Sequence, residues 1–270
     1  MSPHPHAAGT RPAAQAGRFY PSSPIHLGEM VERFLAEASP GGLPAPKAVI
    51  APHAGYRYSG PIAGSAFAAW ASQPSSIQRV VLLGPSHFVN FHGIALPDAS
   101  AFATPLGTVP LDPGAVESLF ELPDIHTLDV AHCREHAIEV ELPFLQRLLP
   151  TFTIVPLIVG RATDNAVRTA VDRLWGDAET RFVLSSDLSH YLPSEEARPL
   201  DRSTADAIED LQPQPLTPSR ACGYRIIRGF LAAAAQRGLI AKTVDLRNSG
   251  DTEGPRDSVV GYGAFHFGPG

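Results

Sequence analysis

Three histidines each stand just past a short apolar run, in a polar and turn-rich setting. Ala48–Ala51 leads into Pro52-His53-Ala-Gly55-Tyr56, Val80–Leu83 into Gly84-Pro85-Ser86-His87, and Phe182–Leu184 into Ser185-Ser186-Asp187-Leu-Ser189-His190. Neutral imidazole is the commonest metal ligand and also titrates near physiological pH. The same atoms therefore suit a metal site or a general-base site. Asp187, three residues before His190, could accept a hydrogen bond from that imidazole and fix its tautomer, leaving the other nitrogen to face a substrate.

Cys222 is a fourth candidate. Thr217-Pro218 reads as a cap followed by proline at the first helical position, which would set Cys222 near a helix start and beside Arg220. Both would favour the thiolate, the form that binds metal or attacks substrate. Against this, Cys222, Ile226 and Phe230 share one apolar helical face, the pattern of a buried core thiol. The run His132-Cys-Arg-Glu135-His136-Ala-Ile138-Glu139 places two histidines at i, i+4. Its apolar neighbours favour pocket lining over ligation, with Glu135 and Glu139 as first-turn carboxylates that complement a helix dipole. Ser86 resembles a nucleophile-elbow serine but lacks the second glycine of Gly-x-Ser-x-Gly. No phosphate-binding glycine loop and no zinc-finger spacing is present.

These candidates need a scaffold that brings strand ends together. Apolar runs at Ala48–Ala51, Val80–Leu83, Gly93–Leu96, Thr153–Ile158, Arg181–Leu184, Lys242–Leu246 and Val259–Phe267 read as strands, most of them continuous enough to be buried on both faces. Helical spacing is predicted near 25–38, 60–70, 113–121, 137–149, 163–175, 195–210 and 218–237. Strands alternating with helices make an α/β protein, and ligands of open α/β sheets bind at the strands' carboxyl ends. Residues 1–17 are polar and proline-rich and read as a flexible N-terminal arm; 18–270 read as one domain.

Composition excludes several classes. The chain has 270 residues, 44% hydrophobic and 18% charged, so a large core is available. A net charge of −6 with no Lys/Arg cluster speaks against a nucleic-acid or anionic-membrane surface. Two cysteines, Cys133 and Cys222, give no disulfide framework. No signal peptide and no membrane span is legible, so a cytoplasmic location is expected.

Taken together, Phe19-Tyr20-Pro21, Pro52-His53-Ala-Gly55-Tyr56, Leu83-Gly84-Pro85-Ser86-His87, Glu135-His136-Ala-Ile138-Glu139, Ser185-Ser186-Asp187-Leu-Ser-His190, Cys222-Gly223 and Val259-Val260-Gly261-Tyr262 resemble, in order, the Memo family, whose bacterial members are also called AmmeMemoRadiSam system protein B. The resemblance runs over about 11–268. It implies a three-layer α/β/α sandwich like that of LigB-type class III extradiol dioxygenases. Those enzymes hold non-haem iron through two histidines and a carboxylate, with positions open for substrate and oxygen.

Carried over, the resemblance makes His53 and His87 metal ligands and His190 the acid/base, with Asp187 beside it. Cys222 falls where the dioxygenases keep the carboxylate, a departure that alters metal preference and redox behaviour. Phe88 stands where some Memo proteins carry a second histidine. The implied cofactor is iron(II), with copper as the alternative, and the implied chemistry is redox or oxygenase chemistry on a small aromatic substrate. Two rival readings use the same cleft: a non-catalytic peptide- or protein-binding module, and a metal-free hydrolase built on Ser86 or Cys222. The bacterial name adds radical-SAM and AMMECR-type proteins as candidate partners.

Overall fold

The computed structural model describes residues 9–38 and 41–270. In chain order the elements are β1 (Thr10–Arg11), α1 (Pro24–Ala36), β2 (Ala48–Ala51), α2 (Tyr56–Phe67), β3 (Arg79–Pro85), β4 (Ile94–Leu96), β5 (Ala101–Thr104), β6 (Gly107–Pro110), α3 (Pro113–Leu119) and β7 (Ile125–Thr127). There follow α4 (Asp129–Cys133), α5 (Leu142–Leu148), β8 (Thr153–Val159), α6 (Asp164–Arg173), β9 (Thr180–Ser185), β10 (His190–Leu192), α7 (Ser194–Glu209), α8 (Tyr224–Gln236), β11 (Leu239–Asn248) and β12 (Val259–Pro269).

The main sheet runs β10-β12-β2-β9-β3-β8-β4-β7, with β11 paired to β12. Its centre, β2-β9-β3-β8, is parallel, and the flanking pairs β2–β12 and β8–β4 are antiparallel. Every residue of β2 and β9 is buried. Strands covered on both faces need such unbroken apolar runs. Helices α1, α2 and α5 pack together, and α6 and α8 form a second group. The three-layer α/β/α sandwich expected from the sequence is the architecture found.

Where the elements begin follows from their caps. Ser23 and Thr163 accept from backbone N–H groups two residues into α1 and α6, and Pro24 opens α1 at a position whose N–H would have no helical partner.

The N-terminal reading is corrected. Residues 1–8 lie outside the described residues. From Gly9 onward, however, the expected arm belongs to the body. β1 pairs in parallel with β5, which forms a small second sheet with β6. Arg11 is buried, its Nε donating to the His132 carbonyl at 2.7 Å and its Nη2 to the Glu135 carbonyl at 2.8 Å. A buried guanidinium needs this full set of partners. They lie more than a hundred residues away, beyond the reach of local composition.

Candidate metal centre

The four parallel strands end at one edge, and each is followed two positions past its end by a histidine or a charged residue: His53 after β2, His87 after β3, Arg161 after β8 and Asp187 after β9. The register pairs Ala51 with Ser185 and Pro85 with Val159, so the four positions line up. Cys222 reaches the same edge from the turn before α8, its backbone N–H donating to the Asp187 carbonyl at 3.2 Å. Gly223 permits this approach, since a Cβ there would stand 2.7 Å from the Ser186 Cβ.

His53, His87 and His136 each offer a ring nitrogen within 4.8 Å of the other two. Their ring centroids are 5.1 Å (His53–His87), 5.2 Å (His53–His136) and 4.4 Å (His87–His136) apart. Three imidazoles whose ring nitrogens come together in this way are a donor set for a borderline divalent metal such as iron(II), copper or zinc. Burial, with the neighbouring His87 and His136, holds the pKa of His53 well below its usual value, so it stays neutral and its lone pair stays available.

The partners that aim these rings are themselves specific. Glu135 accepts from the His87 backbone N–H (2.8 Å) and lies 2.9 Å from the His87 Nδ1, which leaves the His87 Nε2 as its free donor atom. The same carboxylate accepts from the backbone N–H groups of His136 (2.9 Å) and Ala137 (3.1 Å). Burial opposes its charge, but bonds from His136 and His87 outweigh that and hold the carboxyl well below the usual carboxylate range.

His53 is aimed by Ser185, whose Oγ is 2.7 Å from the His53 Nδ1, 2.6 Å from the Ala137 carbonyl and 2.8 Å from Glu141 Oε1. A serine hydroxyl has one proton to donate and two lone pairs. The carbonyl can only accept, so all three contacts are satisfied when Ser185 donates to Ala137 and accepts from both a protonated Glu141 and the His53 Nδ1–H. Burial pushes the Glu141 carboxyl well above its usual range, in agreement with this count. His53 Nε2 is then the unprotonated, ligating nitrogen.

Other expectations change. The third member of the converging cluster is His136, which sequence reasoning assigned to pocket lining. The i, i+4 spacing with His132 misled, because α4 stops at Cys133 and the helix predicted from 137 begins only as a 3₁₀ turn at Glu139–Glu141 followed by α5. His132 is buried elsewhere, its Nε2 2.9 Å from the Ala95 carbonyl. Glu139 does not serve a helix dipole; it pairs with Arg11 at 2.6 Å and accepts from Gln15 N, Ala14 N and the Tyr20 hydroxyl.

Cys222 stands beside the cluster, its Sγ 3.3 Å from the His53 Nε2. Its helix begins at Tyr224 and not at Pro218, and Arg220 bonds Ser203 and Thr204 instead of the thiol. Burial first, and the Asp187 charge second, push the Cys222 thiol up to about 12, so it is not the activated thiolate that the helix start suggested. Asp187 accepts from the His53 backbone N–H at 2.8 Å, and among the described residues no hydrogen bond joins it to His190. The Ser86 hydroxyl donates to the Val89 carbonyl at 2.6 Å, and among the described residues no histidine or carboxylate bonds it. A cleft of about 360 Å³ opens beside His87 and Cys222, walled by Phe88, Phe91 and Tyr224.

Residues 11–266 match a family model described as Memo-like protein. The chain is similar to a MEMO1 family protein of Sulfolobus acidocaldarius, 33% identical over 94% of this chain and 98% of that one. It is likewise similar to one of Aquifex aeolicus, 34% identical over 93% and 97%, and to one of Methanothermobacter thermautotrophicus, 36% identical over 93% and 98%. No helix among the described residues is long and apolar enough to cross a membrane.

Proposed function

The chain belongs to the Memo-like protein family, and on that premise we propose that it is a metal-dependent oxidoreductase acting on a small aromatic substrate, with His53, His87 and His136 as ligands of one iron(II) or copper ion. The observation that carries this reading is the convergence of three imidazoles, two of them aimed by Glu135 and Ser185, to within 4.8 Å at the carboxyl edge of a parallel sheet. A bound iron or copper ion would supply redox chemistry and a Lewis-acidic position for a substrate oxygen. The protein's own residues do the rest. Glu135 orients His87, Ser185 fixes the tautomer of His53, and Cys222 lies close enough to His53 to add a thiolate donor.

His190, half-buried at the start of β10, is the acid/base in this reading. Its support is its place three residues past Asp187, at the start of the strand that pairs with β12. The aromatic walls of the cleft would exclude water and stack a ring.

The test is anaerobic purification with elemental analysis, followed by oxygen uptake on a catechol panel. Wild type should carry about one iron or copper per chain, and His53→Ala, His87→Ala and His136→Ala should each lose it while staying folded. Stoichiometric metal in all three variants removes the site assignment. Metal binding without turnover of any substrate turns the reading toward a non-catalytic binder.

A further inference from the structure

Several arginines elsewhere in this protein have carboxylate partners. Arg79 pairs with Asp112, Arg228 with Asp164, Arg237 with Asp172 and Arg11 with Glu139. Others do not, and two of these stand at the mouth of the cleft beside the histidines. Arg161 and Arg225 both line it, and among the described residues neither forms an ion pair. Arg161 offers no side-chain hydrogen bond to any described residue, whereas Arg225 donates one Nη1 bond to the Ala162 carbonyl at 3.2 Å and keeps its other donors free. Glu135, the carboxylate beside the histidines, is committed to His87 and to the backbone N–H groups of His136 and Ala137.

The backbone is arranged to put Arg161 there. It occupies the position past β8 equivalent to His53 and His87 past their strands. It follows Gly160, where a Cβ would lie 2.5 Å from the Phe91 carbonyl, so only glycine lets the strand end pass beneath Phe91. Phe91 in turn accepts from the Arg161 backbone N–H at 2.8 Å.

Aromatic surface completes the cleft. Phe88 is 49% exposed although it is a large apolar side chain. The Arg225 guanidinium carbon lies 4.9 Å from the Tyr224 ring centroid, and that of Arg134 lies 5.2 Å from that of Phe88. Guanidinium groups stacked on rings keep their edge donors free for a bidentate oxyanion. At about 360 Å³ the cleft is near the lower end of small-molecule sites, which run from about 300 to 1,000 Å³. That is room for one substituted ring.

We infer that the cleft takes a small aromatic anion, its carboxylate or phosphate held by Arg161 and Arg225 and its ring against Phe88, Phe91 and Tyr224. This rests on the reading of the site as a substrate site and specifies what that substrate carries. An oxyanion set between two unpaired guanidinium groups orients the ring, so that one edge faces His87.

Binding of benzoate, phenyl phosphate, benzamide and inorganic phosphate to the full-length protein, followed by ligand-observed NMR, tests the inference. Benzoate or phenyl phosphate should bind ~10-fold or more tighter than neutral benzamide, a difference typical of a hydrogen bond to a charged group. Whichever anion wins names the oxyanion. Inorganic phosphate alone should bind more weakly than either. Arg161→Ala and Arg225→Ala should each remove most of the preference and keep full metal content. His53→Ala should lose metal and keep the preference, which separates failure of this inference from failure of the metal assignment. Equal binding of benzamide and benzoate, or an undiminished preference in both arginine variants, overturns it.

Discussion

The Nε2 of His53 and the Sγ of Cys222 face each other across 3.3 Å. With the His53 proton on Nδ1, Nε2 is an acceptor, and a protonated thiol is the matching donor. A thiol raised to about 12 by burial and by Asp187 fits that arrangement. Metal entry must therefore displace a thiol proton from the nitrogen it occupies.

The first prediction follows from that pair. In metal-free protein at pH 7, iodoacetamide should alkylate Cys222 more slowly than the exposed Cys133, even though the thiol of Cys133 is itself raised by its hydrogen bond to Asp129. Access and thiolate fraction both govern such rates. Mass spectrometry of time-resolved labelling reads both sites at once, and faster labelling at Cys222 restores the activated thiolate.

Glu141 gives a pH-dependent prediction. Its folded pKa is raised, so below the usual 4.5 both folded and unfolded chains hold the proton and nothing is lost. As pH climbs above 4.5 the unfolded chain releases its proton while the folded one keeps it, and stability falls. Glu141→Gln retains a donor for Ser185 without an acid to keep neutral. Its melting temperature should exceed that of wild type at pH 8, with the gap closing toward pH 4.5. A constant gap across that range means that Glu141 is ionised in the fold.

Glu135 runs the opposite way. Its lowered folded pKa contributes stability above the usual 4.5, lost as pH falls through and below that value. Glu135→Gln should flatten the acid limb of the stability curve between pH 5 and 3, measured by urea denaturation. Because the carboxylate aims His87, Glu135→Ala should also weaken metal binding by ~10- to 100-fold, the usual effect of losing a partner of a metal ligand. Unchanged affinity in that variant would mean that His87 needs no such support.

Arg11 and Glu139 form a buried ion pair at 2.6 Å with side-chain exposures of 4% and 0%. Removing one partner of such a pair costs about 3–5 kcal/mol, because the other is left as an uncompensated buried charge. Arg11→Ala should therefore lower chemical stability by that order, and the double variant Arg11→Met, Glu139→Gln, which removes the uncompensated charge and keeps an acceptor oxygen for the donors around it, should recover part of it. Equal losses in single and double variants would place the stabilisation in packing.

Much of the scaffold was legible because its strands carry unbroken apolar runs. The expected Ala48–Ala51 strand has the observed limits, and the other expected strands lie within or near β3, β4, β8, β9, β11 and β12. The short β5–β6 hairpin was not, since four-residue strands that alternate or face solvent leave little periodic signal. At the site, His53 and His87 were legible from their places after strands. His136 was not, because its place beside His53 and His87 depends on a loop that Arg11 ties down through the His132 and Glu135 carbonyls. Glu135, Glu139 and Glu141 looked alike in sequence; the fold gives them separate tasks, toward His87, Arg11 and Ser185.

The bond from Arg11 to Glu139 spans 128 positions of sequence. Chain closure over such a distance is entropically slow, and it comes after the local turns have formed. The loop bearing His136 can take its final path only once that closure has happened. Synthesis past Cys222 completes the surroundings of the three histidines, but a metal held by them would still have to wait for the earliest strand to dock.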